Sequence, residues 1–112
     1  MSLSTHVLDT SAGRPAAGVA VRLMRLEDGE WVDVSRGETN ADGRVAALVP
    51  AGAAAVAGTF RLTFDAAAYF AARGQETFYT TVAIDFVVRD ASQHHHVPLL
   101  LSPFGYSTYR GS

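Results

Sequence analysis

Thr59-Phe60-Arg61-Leu62-Thr63-Phe64 alternates polar and large apolar side chains without a break, and its reading decides the fold. A period of two is that of a β-strand with one buried face. The next residues predict the chain's one helix. Asp65 is a good N-cap, Ala66 to Arg73 are mostly strong helix formers, and Gly74 stands where a left-handed C-cap is expected. Working outward, short apolar or alternating runs closed by turn signals recur on both sides, the pattern of an all-β sandwich. Upstream, Ser4 to Leu8 alternates and runs into the Ser-, Gly- and Pro-bearing stretch Asp9 to Pro15, read as a loop. Gly18 to Leu26 carries Val19, Val21 and Leu23 on one face. It stops at Asp28-Gly29, a type I′ hairpin signal, and Trp31 to Thr39 returns. A second Asp-Gly turn, Asp42-Gly43, leads into a predicted strand over Arg44 to Leu48, ended by Pro50 and Gly52, and Ala51 to Ala57 is read as loop. Downstream, Thr81 to Val88 and His95 to Leu101 are dense apolar strands expected at the centre of a sheet packed on both sides, and Tyr106 to Arg110 is a last, more polar strand. Pro98 cannot donate to a ladder, so it is expected at a bulge, or at an edge facing another subunit or a cavity.

The chain has 112 residues, 48% of them hydrophobic and 18% charged, which fits one globular domain spanning residues 1–112. Nine basic residues against eleven acidic ones give a formal charge of -2. That balance lacks the positive excess that nucleic acid or an anionic membrane surface attracts, so neither is expected as a partner. There is no cysteine, which excludes disulfides, a thiolate nucleophile and sulfur-based zinc sites. There is no lysine either, since all nine basic residues are arginine, and Schiff-base chemistry is excluded with it. No segment approaches the ~20 apolar residues of a membrane span, and a soluble, cytoplasmic protein is expected.

Reactive work therefore falls to His, Arg, acids and hydroxyls. His6 shares a strand face with Ser4 and Leu8, and Arg44 directly follows a turn. Taken singly, a strand histidine is most often a surface or core residue, and an arginine at the start of a strand is most often solvated. His94-His95-His96 invites a metal reading. In a strand, however, only His94 and His96 share a face, and no cysteine or carboxylate at ligand spacing completes a site, so no metal is expected. The last residues are unusual in carrying Tyr109 and Arg110 where chains normally fray, which suggests a tail tucked against something. No serine sits in a strained Gly-x-Ser-x-Gly turn.

Thr5-His6-Val7-Leu8-Asp9, Asp42-Gly43-Arg44, His96-Val97-Pro98-Leu99-Leu100-Leu101-Ser102-Pro103 and Tyr109-Arg110-Gly111-Ser112 together resemble the 5-hydroxyisourate hydrolases, the enzymatic branch of the transthyretin family. The resemblance runs from His6 to Ser112. Its most specific element is the Tyr-Arg-Gly-Ser ending, which the hormone-carrying transthyretins lack, as they lack His and Arg at the positions of His6, Arg44 and His96. It implies a transthyretin-like (prealbumin-like) β-sandwich of two four-stranded sheets with one short helix. It also implies a homotetramer, a dimer of dimers, with active sites in a channel at the dimer-dimer interface. By the same resemblance His6, Arg44 and His96 are catalytic, while His6, Arg44, Tyr109 and Ser112 contact substrate. One departure is His95, where the family commonly has an aromatic residue; strand alternation is expected to turn it to the opposite face from His96.

The implied reaction is ring-opening hydrolysis of 5-hydroxyisourate to 2-oxo-4-hydroxy-4-carboxy-5-ureidoimidazoline, on the route from urate to allantoin. Hydrolysing a cyclic amide needs a base for water, a stabiliser for the oxyanion and a proton for the departing nitrogen. Two histidines and an arginine supply all three without a cofactor, and the sequence alone leaves open which histidine is the base. Two other readings compete. A non-catalytic carrier could bind a small aromatic ligand in the same channel, and an immunoglobulin-like adhesion module would explain the strands but leave the terminus without a role.

Overall fold

A computed structural model describes residues 2–46, 48–50 and 56–112. The strands are β1 (Ser2–Asp9), β2 (Arg14–Pro15), β3 (Ala20–Glu27), β4 (Glu30–Glu38), β5 (Gly58–Asp65), β6 (Thr81–Val88), β7 (His94–Ser102) and β8 (Gly105–Thr108), with one helix, α1 (Ala66–Ala71), between β5 and β6. They form two four-stranded sheets, ordered β2-β1-β7-β8 and β4-β3-β5-β6. The expected sandwich is therefore present.

The alternating residues pack as their period requires. Phe60, Leu62 and Phe64 of β5 turn inward, facing Val21 and Leu23 of β3 in the same sheet and Val7, Leu99 and Leu101 from the other. The β3-β4 hairpin turns on Asp28 and Gly29, whose φ angles of 50° and 79° are the two positive values a type I′ turn demands. Asp65 caps α1 by accepting from the Ala68 amide at 3.0 Å, and Gly74 is left-handed at φ 68°. The helix itself stops at Ala71, earlier than the expected Arg73. Its buried Tyr69 donates to Asp9 Oδ2 at 2.8 Å, fastening the helix to the end of β1.

Four expectations are corrected. The described residues of the expected strand, 44–46 and 48, form none: Arg44 makes only an isolated bridge to His6. The Asn40 side chain accepts from the Asp42 and Arg44 amides and curls the chain there, while Leu48 is buried and its carbonyl accepts from Ser35. Part of the expected strand, Ala47, and most of the expected Ala-rich loop, 51–55, lie outside the described residues. Thr81 to Val88 is an edge strand, not a central one. Val82, Ile84 and Val88 are buried while Ala83, Asp85 and Val87 are exposed, and Arg61 pairs with Asp85 at 2.6 and 2.9 Å on that outer face. The stretch read as a loop over Asp9 to Pro15 contains β2, which pairs with Leu8 and Asp9. Finally, β8 ends at Thr108, before the expected Arg110.

β1 and β7 pair in parallel over eight residues, setting Ser4 beside His96 and His6 beside Pro98. Pro98 is thus interior to the sheet, yet its missing N–H falls at a gap. The β7-β8 ladder stops at Leu99–Thr108, the Thr108 hydroxyl donates to the Pro98 carbonyl at 2.7 Å, and the chain returns only at the His96–Gly111 bridge. The ladder is interrupted where proline has nothing to donate.

Candidate active site

On β1, alternation buries Leu3, Thr5, Val7 and Asp9 and sends Ser4, His6 and Leu8 to the outer face. On β7 it buries His95 and Val97 and sends His94 and His96 outward. His95 therefore faces inward as expected, with its Nδ1 3.1 Å from the Gln93 carbonyl. The parallel pairing then puts the outward serines and histidines of the two strands side by side.

Arg44 reaches this face through a third segment. The Gly43 carbonyl accepts from the Val7 amide at 2.8 Å, and the bridge to His6 lays Arg44 alongside the first histidine. Gly43 has φ 76°, and a Cβ built on it would stand 2.4 Å from the Val7 carbonyl and 3.3 Å from His6 Cδ2. Only glycine lets the turn approach this closely. The C-terminal segment does the same for the other histidine. The Gly111 amide donates to the His96 carbonyl at 2.8 Å, and a Cβ on Gly111 would lie 2.4 Å from His96 Cδ2. Each histidine ring is backed by a glycine.

His6, Arg44 and His96 are thus brought together by three separate stretches of chain. Burial and then the positive charge of Arg44 hold the His96 imidazole below its ordinary value of 6.5, with smaller contributions of the same sign from His6 and His94, while hydrogen bonding to Ser4 acts the other way. His96 is therefore neutral at neutral pH, free to accept a proton, beside a guanidinium that can hold a developing oxyanion.

Ser112 follows Gly111 and so is carried toward His96. Tyr109 is not gathered with His6 and Arg44. It is 59% exposed and lines a cavity of about 530 Å³ at the open edge between the sheets, with Ile84 and Phe86 of β6 and His95 and His96 of β7. That cavity has charged and titratable groups of its own in Arg89, Asp90, His95 and Arg110, whereas His6 and Arg44 lie on the outer face, and His96 borders both. Among the described residues, no group of three or more His, Cys, Asp or Glu side chains is placed to hold a metal ion, and no helix is long and apolar enough to cross a membrane.

Sequence reasoning did not single out Ser4, although it placed Ser4 on the face of His6. The Ser4 hydroxyl lies 2.7 Å from His96 Nδ1 and 2.9 Å from His94 Nε2, and Ser2 Oγ lies 2.6 Å from His94 Nδ1. The contacts span some ninety residues of sequence and depend on the β1-β7 register, which no local pattern announces.

Residues 3–111 match the model of the HIUase/Transthyretin family. A relative from Mus musculus, 5-hydroxyisourate hydrolase, is 46% identical over 112 residues, covering 98% of this chain and 94% of its own. Among solved structures, Klebsiella pneumoniae 5-hydroxyisourate hydrolase superposes with a TM-score of 0.82 at 45% identity, over 99% of this chain and 93% of the other. Sea bream transthyretin in complex with thyroxine superposes with a TM-score of 0.91 at 31% identity, over 99% and 95%. Backbone shape is thus shared with both a hydrolase and a thyroxine-binding protein.

Proposed function

The chain belongs to the HIUase/transthyretin family, and from that premise we propose that it hydrolyses 5-hydroxyisourate. The observation that carries the reading is the convergence of His6, Arg44 and His96 on the outer face of β1 and β7, with His96 held neutral beside Arg44. In this proposal His96 takes a proton from water, which attacks the ring amide carbonyl. Arg44 stabilises the oxyanion, and His6 protonates the nitrogen as the carbon-nitrogen bond breaks. The product is 2-oxo-4-hydroxy-4-carboxy-5-ureidoimidazoline, an intermediate between urate and allantoin in purine degradation. None of these steps asks for a cofactor.

We further propose that residues 1–112 act as one domain, in the cytoplasm, within a homotetramer built as a dimer of dimers. The catalytic face supports this arrangement: Arg44 and His94 are exposed on it in a single chain, and a second copy laid across it would enclose the site at the dimer-dimer interface. Ser112 is proposed to contact substrate beside His96. Tyr109, directed to the sandwich edge, is proposed to contact substrate only in the assembled tetramer.

A carrier of small aromatic ligands is the reading that backbone similarity to the thyroxine complex would favour. The side chains argue against it. An apolar ligand over His6, Arg44 and His96 would leave polar groups without partners, at about 1–3 kcal/mol each.

The test is the ultraviolet decay of 5-hydroxyisourate, generated in situ by urate oxidation, with wild-type protein and with His96→Ala. Wild type is expected to accelerate the decay, and His96→Ala to lose at least ~100-fold in turnover. Decay at the uncatalysed rate with wild type would instead favour the carrier.

A further inference from the structure

We propose that Ser4, His94 and Ser2 form a proton relay serving His96, a role that rests on the hydrolase reading above. The relay is geometric before it is chemical. Four polar groups stand in line along the β1-β7 seam, Ser2 Oγ to His94 Nδ1 at 2.6 Å, His94 Nε2 to Ser4 Oγ at 2.9 Å, and Ser4 Oγ to His96 Nδ1 at 2.7 Å. The line runs from the exposed Ser2 and His94 to the half-buried His96.

A hydroxyl carries one proton, so Ser4 donates to one imidazole and accepts from the other. The two rings are therefore locked in matched tautomers. With a proton on His96 Nδ1, Ser4 accepts it and donates to His94 Nε2, and His94 donates from Nδ1 to Ser2. This arrangement leaves His96 Nε2 bare, as a general base requires. With the opposite arrangement Ser2 donates to His94, His94 to Ser4 and Ser4 to His96 Nδ1, and His96 carries its proton on Nε2, as a general acid requires.

Passing between the two states moves one proton along the line. When Nε2 takes a proton from the attacking water, the Nδ1 proton passes to Ser4, the Ser4 proton to His94 Nε2, the His94 Nδ1 proton to Ser2, and the Ser2 proton to solvent. One proton enters and one leaves, and no charge remains on His96 next to Arg44, His6 and His94, the charged and titratable groups that bear on it. The reverse passage takes a proton from solvent at Ser2 and releases the Nε2 proton to His6, which gave its own to the leaving nitrogen, so that both histidines are reset for the next turnover. A cationic His96 beside a permanent guanidinium is the state this removes. Ser4 and His94 are positioning residues in this scheme, because they act through His96.

The experiment measures kcat and KM from pH 6 to 9 on the full chain for wild type, His94→Ala, Ser4→Ala and Ser4→Thr. The expected result is a fall in kcat of about 10-fold or more for the two alanine variants with KM unchanged, and retention in Ser4→Thr, which keeps the hydroxyl. Nitrogen-15 NMR of the ring nitrogens reports the tautomer directly, and Ser4→Ala is expected to shift the His96 population. Wild-type turnover by His94→Ala across the pH range, or an unchanged His96 tautomer in Ser4→Ala, would overturn the relay alone. Wild-type protein with no turnover would overturn the hydrolase reading and the relay's role with it.

Discussion

Gly111→Ala is the sharpest test of how the C-terminal segment serves the site. The added Cβ would stand 2.4 Å from His96 Cδ2, 3.1 Å from Cγ and 3.3 Å from the His96 Cβ, where ordinary contact begins at 3.4 Å. The backbone at Gly111 is not in the left-handed region, so alanine meets no conformational penalty and the clash is the whole perturbation. To relieve it the imidazole must yield by about 1 Å, the difference between 3.4 and 2.4 Å. A misplacement of about 1 Å in a catalytic group costs on the order of 100-fold in rate, about 2.7 kcal/mol of barrier. The assay is kcat on freshly generated 5-hydroxyisourate, alongside a thermal melt. The melt is expected to be nearly unchanged, because the substituted position is at the sheet margin and outside the core. Gly105→Ala is the control, since its Cβ would meet nothing nearer than Ser102 Oγ at 3.7 Å; its activity should stay within about twofold. Wild-type turnover in Gly111→Ala, or an equal loss in Gly105→Ala, would refute the claim that Gly111 sets the position of His96.

Three further outcomes are expected. Gly43→Ala should lower both stability and activity: its Cβ would meet the Val7 carbonyl at 2.4 Å, and φ 76° adds about 1–2 kcal/mol of backbone strain for a residue with a side chain, so its melting temperature should drop where that of Gly111→Ala does not. Tyr69→Phe should cost about 1.5–3 kcal/mol in urea denaturation, because the buried Asp9 loses the donor at 2.8 Å; burial alone would raise Asp9, but hydrogen bonds from Ser11, Tyr69 and Ala12 hold it below 3.8, so the stability it contributes is present above that value and is lost as pH falls through its depressed one. The acid limb of kcat/KM should lie below pH 6.5, because burial and Arg44 keep His96 neutral to lower pH than a free imidazole; a limb above 6.5 would contradict His96 as the base.

The strands most visible in the sequence were those with one face in the core. Thr59 to Phe64, Gly18 to Leu26 and Ser4 to Leu8 alternate because each buries every second side chain, and the structure places a strand over each. The misreadings have a common cause. Thr81 to Val88 looks like a central strand by apolar density, but sheet order is set by long-range pairing, and Asp85 in its middle, paired to Arg61, was the local sign of an outward face. Residues 44–46 carry strand-like side chains but follow the turn where Asn40 captures the Asp42 and Arg44 amides, so local hydrogen bonding overrides propensity. The buried Asp9 escaped notice because a carboxylate inside a sandwich is tolerated only with donors around it, and Tyr69, its partner from α1, is sixty residues away.

The face that carries His6, Arg44 and His96 was legible through whole segments and not through single residues. A histidine on β1, an arginine after a turn and a histidine on β7 are each ordinary, and what joins them is the parallel pairing of β1 with β7 together with the docking of the Arg44 turn on β1, neither of which residue patterns encode. Backbone geometry is equally mute about function: the thyroxine complex superposes better, at a TM-score of 0.91, than the hydrolase at 0.82. The distinction must then lie in side chains. Gly43 lets Arg44 approach His6, and Gly111 lets the chain end approach His96, each within a distance that any Cβ would forbid. A sandwich with the same strands but larger residues at these two positions would keep its core and lose the convergence.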